Sequence, residues 1–419
     1  MTAPASEPEP IMKCVQAELE AAFEARARAA GARVLRGHRL TGVDSGPGGV
    51  RISVQGPRGP LECTAQYLVA ADGARSTVRE LSGIASQVFP ATVAAMAGQV
   101  RLERAGDLAQ GWTRTPRGWL VVKDDGAGRV HLRTLNCARP HGDRRAPLTL
   151  EELRAEVSFL AGRPVAMSAP RWLERFSDFS RLAHRYRAGR VLVAGDAAHV
   201  HFPIGGQGLS TGLLDALNLG WKLALVLRGA AGEDLLDTYD QERRPAARAV
   251  IDNTRAQLAL MRPDPALDPL RALFAQLLPA GGESGLLGAM VSAQDTVLPA
   301  RTARPSPWEG RFLHNRPLTT ARGATDVITL LRQGRPLLLC TRAGTRHLRG
   351  AGRWSTLLHR VVHTEVPDLP SALLVRPDGY IAWAPGGDAL EAALNAYFGP
   401  ATTTATGATA TGAAITGAR

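Results

Sequence analysis

Long apolar runs, lysines and paired cysteines are all scarce in this sequence of 419 residues. No stretch of about 18 apolar residues occurs, so we expect no transmembrane helix and no membrane partner. The four cysteines, Cys14, Cys63, Cys137 and Cys340, form no C-x-x-C pair and no metal-ligand spacing. The sequence therefore predicts reduced thiols, no metal site and a cytoplasmic location.

Positive charge dominates, with 50 Lys and Arg against 38 Asp and Glu and a formal net charge of +12. Only three of these cations are lysines, and the arginines are scattered instead of gathered into a basic arm or a helical stripe. No zinc-finger, RNP or basic-zipper pattern occurs. We therefore predict no nucleic-acid partner, and an anionic ligand together with an arginine-rich coding bias accounts for the charge.

Helical and extended apolar spacings alternate along most of the chain, which is typical of an α/β protein. We predict a helix at 14–30, a short strand at 33–35, β-structure over 89–139 and a helix near 148–160, where Thr149 and Glu152 fit a capping box poorly. Farther along, the spacing predicts strands at 336–340, 372–375 and 380–384 and helices at 354–361 and 389–397.

Residues 191–218, VLVAGDAAHVHFPIGGQGLSTGLLDALN, are the most informative segment. An apolar strand delivers Gly195 and Asp196 at its carboxyl end, where ligands bind in open α/β sheets. Gly195 allows a ligand to approach the backbone closely, and the Asp196 carboxylate can accept hydrogen bonds from ribityl or ribose hydroxyls. The segment therefore predicts a ligand site at this strand end.

A tight loop follows that strand and opens a long helix. Pro203, Gly205 and Gly206 form the loop, and Gly208 and Leu209 begin the helix. A helix N-terminus offers unpaired N–H groups and partial positive charge, which suits a group that becomes anionic, such as the N1–C2=O edge of a reduced flavin. His199 and His201 stand beside the loop, but no partner ligands at suitable spacing favour a metal.

The same string resembles the second flavin motif of class A flavoprotein monooxygenases, the para-hydroxybenzoate hydroxylase-like family. LLDTYDQERRP at 235–245 is similar to the next helix of that family, and LVAADGARSTVRELSGI at 68–84 resembles its Asp-Gly motif. The resemblance covers residues 10–400 and rests on the order and spacing of these motifs. It implies FAD and NAD(P)H as cofactors.

Further site residues come from the resemblance alone. It implies that Asp72 and Gly73 lie near the flavin and the nicotinamide cofactor, and that Gln16, four residues before Glu20, hydrogen-bonds the flavin. Without the resemblance, Gln16 would be interpreted as a surface residue and Asp72-Gly73 as a plain turn.

The C-terminal part points to a subgroup. ALLVRPDGYIAW at 372–383 resembles the thioredoxin-like domain of hydroxylases that tailor aromatic polyketides. Without a C-x-x-C pair, that domain is interpreted as a packing or dimerisation module, which leaves a homodimer open.

The predicted fold class is α/β, with a doubly wound FAD-binding domain that lacks its first βαβ unit, a β-rich substrate domain and a thioredoxin-like domain. The predicted boundaries are 11–88 and 186–262 for the FAD-binding domain, 89–185 for the substrate domain, 263–309 for a connector, 310–399 for the thioredoxin-like domain and 400–419 for a disordered tail.

One expected motif is missing. The family begins with strand, G-x-G-x-x-G and helix, yet none of the 44 glycines forms that pattern. Three explanations stay open: a true start upstream of Met1, a shortened chain with weak flavin binding, or a separate polypeptide that supplies the unit.

The activity implied by the resemblance is aromatic hydroxylation. NAD(P)H reduces FAD, O2 gives a flavin C4a-hydroperoxide, and one oxygen is transferred to an electron-rich polycyclic aromatic of the polyketide type. Baeyer–Villiger oxygenation on the same fold and a flavin-poor scaffold protein are the alternatives. The substrate is expected against residues 89–139, where Trp112, Trp119 and Leu120 either line it or pack in the core.

Overall fold

The computed structural model describes residues 15–104, 106–138, 140, 146–277, 296–400 and 414–417. In this part of the chain, no helix is both long and apolar enough to cross a membrane. The first elements include an antiparallel meander of three strands, and they are α1 (Gln16–Ala29), β1 (Arg39–Gly46), β2 (Gly49–Gly56), β3 (Gly59–Ala65), β4 (Leu68–Ala70), α2 (Thr77–Leu81) and β5 (Ser86–Phe89). The strand predicted at 33–35 does not form; β1 begins later because the turn at Pro47-Gly48 sets its pairing with β2.

The second group of elements forms a five-stranded antiparallel sheet in the order β10-β6-β9-β8-β7. Its elements are β6 (Ala94–Leu102), β7 (Gly111–Thr115), β8 (Gly118–Asp124), β9 (Val130–Asn136), α3 (Leu150–Ala161) and β10 (Met167–Ser177). One face packs against α3 through a buried cluster that includes Met96, Leu132 and Leu153. Because side chains alternate along a strand, the other face presents a separate set of residues.

The start of α3 corrects one sequence expectation. The Thr149 hydroxyl accepts a hydrogen bond from the Glu152 N–H at 3.2 Å, and the Glu152 carboxylate accepts one from the Thr149 N–H at 2.9 Å. The capping box judged a poor fit from the sequence is therefore fully formed and fixes the beginning of the helix.

The third group brings the two sequence motifs together. Its elements are β11 (Ser180–Ala183), β12 (Arg187–Ala188), β13 (Val191–Val193), β14 (His199–Val200), α4 (Gln207–Leu227), α5 (Asp234–Met261) and α6 (Asp268–Leu277). Strand β13 lies parallel to β4, and the Ala194 N–H donates to the Ala70 carbonyl at 2.9 Å. The carboxyl ends of both motif strands therefore lie at the same edge of the sheet.

The C-terminal part has its own four-stranded sheet in the order β18-β17-β19-β20. Its elements are β15 (Pro317–Thr320), β16 (Gly323–Asp326), α7 (Val327–Leu331), β17 (Leu337–Cys340), α8 (Arg346–Gly350), β18 (His359–Val362), β19 (Ala372–Val375), β20 (Ile381–Trp383) and α9 (Leu390–Phe398). The helix predicted at 354–361 is wrong, because the chain there turns at Trp354 and then pairs as β18 parallel to β17.

The predicted disordered tail falls largely outside the described residues. Within it, Ala414–Gly417 forms β21, which pairs antiparallel with β3, so the prediction is wrong for these four residues. The physical reason is that β3 would otherwise be an edge strand whose free N–H and C=O groups can bind any extended segment.

A buried charged cluster joins the C-terminal sheet to helices α4 and α5. The Arg376 guanidinium donates to both carboxylate oxygens of Glu242 at 2.9 and 2.7 Å and to those of Asp378 at 3.0 and 2.6 Å. The Lys222 ammonium donates to Glu242 and to the Asn218 amide oxygen, each at 2.7 Å. Burial lowers the pKa of Lys222 to about 7, so Arg376 is the permanent cation of the cluster.

The pH dependence of stability should report on Glu242. Burial would raise the pKa of this carboxyl, but Arg376 and Lys222 outweigh burial and hold it well below its ordinary value of 4.5. Its stabilising contribution is therefore complete above about pH 4.5 and is lost as the pH falls, by at most about 1.4 kcal/mol per pH unit. Urea unfolding should show that Glu242→Gln is less stable at neutral pH and loses less stability on acidification. Equal acid slopes for the two proteins would contradict this assignment.

Candidate active site

The loop after β13 is held by one buried carboxylate. The chain makes a single 3-10 turn at Gly195–Ala197, and Gly195 has a left-handed φ of +57°. Asp215 of α4 accepts the Gly195 N–H at 3.0 Å, contacts His199 Nε2 at 2.7 Å and accepts the Arg243 Nε–H at 2.9 Å. Burial alone would raise the pKa of Asp215, but His199 and Arg243 lower it, so the carboxylate stays ionised and fixes the loop.

A second turn opens helix α4 toward free space. Gly205 and Gly206 have φ values of +76° and +68°, which favour glycine. Gly206 is the N-cap, and it provides no side-chain cap for the first N–H groups of α4. A Cβ built at Gly206 would meet nothing within 4 Å. A close-approaching loop with uncapped amides fits the electron-rich edge of a flavin ring.

The Asp-Gly motif packs directly against this loop. Asp72 accepts hydrogen bonds from the Ser76 hydroxyl and, at 3.0 Å, from the Val78 N–H, so its carboxylate caps α2. From α2, the buried Arg79 guanidinium donates to the Ala197 carbonyl at 2.8 Å. Asp72 therefore acts locally on α2, while Arg79 ties the two motifs together.

A cleft of about 850 Å³ lies between these loops and the exposed face of the five-stranded sheet. The sheet contributes aromatic, aliphatic and charged side chains, among them Trp112, Arg133, Leu135, Trp172, Glu174 and Phe176. The loops contribute the opposite wall, including Asp196, His201, Phe202, Pro203, Gly205 and Gly206. Residues of the glycine loop and one face of the five-stranded sheet thus meet in one cavity.

The cleft gathers part of the predicted site. The predicted residues that line the cleft are Asp196, Pro203, Gly205, Gly206 and Trp112. The predicted residues that do not line the cleft are Gln16, Asp72, Gly73, Gly195, Gly208, Leu209 and Trp119. Gly195 and Gly208 stand behind the wall: a Cβ at Gly195 would lie 3.8 Å from Gly212, and one at Gly208 would lie 3.5 Å from the His201 ring. The Leu209 side chain is exposed.

Three predicted residues have other surroundings. The exposed Gln16 amide donates to Glu20 at 2.8 Å, and helix α1 buries none of its side chains. The Trp119 indole N–H donates to the Met261 carbonyl at 2.6 Å, and its ring packs edge-on against Trp112 with centroids 6.1 Å apart. Leu120 packs in the core beneath α3. Trp119 therefore supports the wall, and of the two alternatives Leu120 takes core packing.

Several residues that line the cleft were not predictable from the sequence. Arg133 of β9 and Glu174 of β10 both pair with Ala97 of β6 and therefore lie on the same face of the sheet. The alternation of side chains along each strand could have placed them on one face, but nothing in the sequence shows that a cleft covers this face. His201 was considered only as a metal ligand. Its Nε2 is buried without a partner among the described residues, and burial lowers the pKa of His201, which favours the neutral ring.

Comparison with known proteins identifies the family of this chain. The profile of the FAD binding domain matches residues 2–254, and that of the C-terminal domain of aromatic-ring hydroxylases matches residues 306–401. The chain belongs to the FAD-dependent aromatic-ring hydroxylase family. Among its relatives is the 12-dehydrotetracycline 5-monooxygenase/anhydrotetracycline 6-monooxygenase of Streptomyces rimosus, 39% identical across 92% of this chain and 80% of that protein.

Two further relatives widen the comparison within this hydroxylase family. The crystal structure of CabE, an aromatic hydroxylase from angucycline biosynthesis, superposes with a TM-score of 0.87 at 32% identity, over 95% of this chain and 83% of the other. A dialkyldecalin synthase of Streptomyces rugosporus is 37% identical over 92% of this chain and 79% of its own length.

These comparisons confirm the main functional prediction. The hydroxylase is an FAD-dependent aromatic monooxygenase with a mixed α/β fold, and NAD(P)H is the usual reductant of its family. In the described part of the chain, no group of three or more His, Cys, Asp and Glu is arranged to hold a metal ion. Burial raises the pKa of the Cys340 thiol to about 11, which keeps it protonated within β17.

Proposed function

We propose that the enzyme hydroxylates an electron-rich polycyclic aromatic substrate of the polyketide type, with the flavin ring at the glycine loop and the substrate on the sheet. The observation that carries this proposal is the single cleft whose walls are the Gly205-Gly206 loop on one side and the aromatic face of the sheet on the other. One relative named for the oxygenation of 12-dehydrotetracycline and anhydrotetracycline, and another from angucycline biosynthesis, support the substrate class.

Two parts of the loop would hold the cofactor. The Asp196 carboxylate lies at the cleft wall, where it can accept hydrogen bonds from ribityl hydroxyls. The uncapped amides after Gly206 would stabilise negative charge on the pyrimidine edge of the ring. Bound FAD supplies the redox and oxygen-transfer chemistry. Gln16 and Asp72 are exposed outside this cleft, so we assign them at most to parts of FAD that lie beyond it.

The remaining residues position the substrate and exclude water. Phe176 and Phe202 stack with centroids 6.0 Å apart and close one part of the cleft. A neutral His201 offers its buried Nε2 as a hydrogen-bond partner for a substrate hydroxyl. When flavin and substrate fill the cleft, the exclusion of water strengthens such contacts and protects reactive species.

The domain division remains part of the proposal. We assign residues 11–88 and 186–262 to a doubly wound FAD-binding domain, of which the parallel pair β4–β13 is the described centre. Residues 89–185 form the substrate domain, 263–309 the connector and 310–399 a thioredoxin-like domain. The apolar cluster that Trp221 and Leu225 of α4 form with Leu374 and Phe398 supports a packing role for the last domain.

Spectroscopy and product analysis test the proposal. Purified protein mixed with FAD should show bound-flavin bands at about 370 and about 450 nm, and an aromatic polycycle should accelerate NAD(P)H oxidation. The product should carry one oxygen atom from labelled O2 on an intact ring. A ring-expanded ester would instead indicate Baeyer–Villiger chemistry, and a protein that takes up no FAD at high concentration would refute the proposal.

A further inference from the structure

Two charged side chains of opposite sign, unpaired among the described residues, face the substrate cleft from β9 and β10, the strands on either side of β6. Glu174 of β10 pairs in register with Ala97 of β6, which pairs with Arg133 of β9. All three side chains line the cleft. Since adjacent strands are about 4.8 Å apart, Arg133 and Glu174 are separated by about 10 Å, with only a methyl group between them.

Neither charge is satisfied by the residues that the structure describes. Arg133 and Glu174 have no hydrogen-bond or ion-pair partner in the part of the chain that the structure describes, and both side chains are exposed to the cleft. Nearby charges on the same sheet are paired differently: Arg175 bonds the Glu152 carboxylate at 2.6 Å, and Asp125 accepts the Gln99 amide at 2.7 Å. The two cleft charges are therefore available to a ligand.

Apolar and aromatic groups complete the surroundings of this pair. The same cross-strand row continues from Arg133 through Val121 to Trp112, and the next row toward the loops includes Phe176 and Leu135. A flat ring system can lie over Ala97, between Arg133 and Glu174 and against these apolar and aromatic side chains. At its two edges it would meet a guanidinium and a carboxylate, which recognise different oxygens: an ionised one and a protonated one, respectively.

We propose that Arg133 and Glu174 are specificity-determining residues that orient the polycyclic substrate. Arg133 pairs with an ionised phenol or enol oxygen at one edge, while Glu174 accepts a hydroxyl at the opposite edge and repels a second anion there. The inference rests on the proposed function only in taking this cleft as the substrate site. One orientation then presents one ring position to the flavin.

Permanently ionised probes test the Arg133 assignment on the full chain with FAD bound. Anthraquinone-2-sulfonate should bind at least about tenfold more tightly than neutral 2-(hydroxymethyl)anthraquinone, as measured by quenching of tryptophan fluorescence. Arg133→Met should abolish that preference, and Arg133→Lys should retain part of it. Arg101→Met is the matched control, because Arg101 is exposed on β6 outside the cleft lining.

A second probe tests Glu174. Wild-type protein should bind anthraquinone-2,6-disulfonate more weakly than the monosulfonate, and Glu174→Gln should remove that difference. Equal binding of the charged and neutral probes, or an equal loss in the Arg101 variant, overturns the inference. Since these readouts need no turnover, a protein that keeps the sulfonate preference but forms no oxygenated product refutes the proposed function alone.

Discussion

Replacing Arg376 by methionine should lower the free energy of unfolding by about 3–5 kcal/mol. The guanidinium is 1% exposed and is the shared partner of two buried carboxylates, Glu242 on α5 and Asp378 after β19. Methionine fills similar space but donates no hydrogen bond, so both carboxylates lose their permanent cation inside the protein. Urea unfolding followed by tryptophan fluorescence measures the loss, since Trp221 also lies in this interface.

A double variant separates the charge effect from packing. Arg376→Met combined with Asp378→Asn removes one charge of each sign, so it should cost less than the sum of the two single changes. Arg304→Met is the control: Arg304, in the connector, pairs with Asp388 at the surface, its side chain is 85% exposed, and the pair should contribute less than about 1 kcal/mol. Similar losses of unfolding free energy for Arg376→Met and Arg304→Met would show that the buried charged cluster does not hold the C-terminal sheet against helices α4 and α5.

The interface cluster and the active-site loop share one helix. Glu242 and Arg243 are consecutive on α5; the first is bound by Arg376 of the C-terminal domain, and the second binds Asp215, which holds the Gly195 N–H. Tyr239, one turn earlier, donates its hydroxyl to the Val193 carbonyl at 2.9 Å. The position of α5 is thus fixed from both sides, which links the C-terminal sheet to the Gly195 loop through one helix.

The sequence predicted the strand-to-loop junctions well because their chemistry is local. A strand ending in Gly-Asp and a Pro-Gly-Gly turn before a helix need no distant partner to be recognised, and the structure places Asp196, Pro203, Gly205 and Gly206 in one cleft wall. The left-handed φ values at Gly195, Gly205 and Gly206 agree with the residue type that the sequence provides there.

Features that depend on distant partners were less predictable. Residues 354–361 have apolar spacing compatible with a helix, yet the Val361-Val362 pair becomes a strand because β17 offers a parallel partner. Trp119 and Trp112 stand on the same face, but the Met261 carbonyl and a buried cluster, both distant in sequence, hold Trp119 away from the cleft. The row from Glu174 to Arg133 exists only through strand register, which no short segment of sequence contains.

Replacing Gly206 by valine should weaken FAD binding about 100-fold, equivalent to about 2.8 kcal/mol. Gly206 lines the cleft at the N-cap of α4 with φ +68°, and the space beyond its Cα is empty of protein atoms. A β-branched side chain there would occupy the volume that the flavin edge needs and would strain the loop by about 1–3 kcal/mol. Quenching of free-flavin fluorescence during titration with protein gives the dissociation constant.

Gly229→Val is the matched control for that loss of affinity. Gly229 follows the other end of α4 with φ +66°, and a Cβ there also meets nothing within 4 Å. Both variants therefore carry the same backbone strain, but only Gly206 faces the cleft. Urea unfolding without FAD should give similar stabilities for the two, whereas FAD affinity should fall in Gly206→Val alone. If Gly229→Val lost FAD equally, the effect would come from weakening α4 as a whole, and the glycine loop would not be the flavin contact.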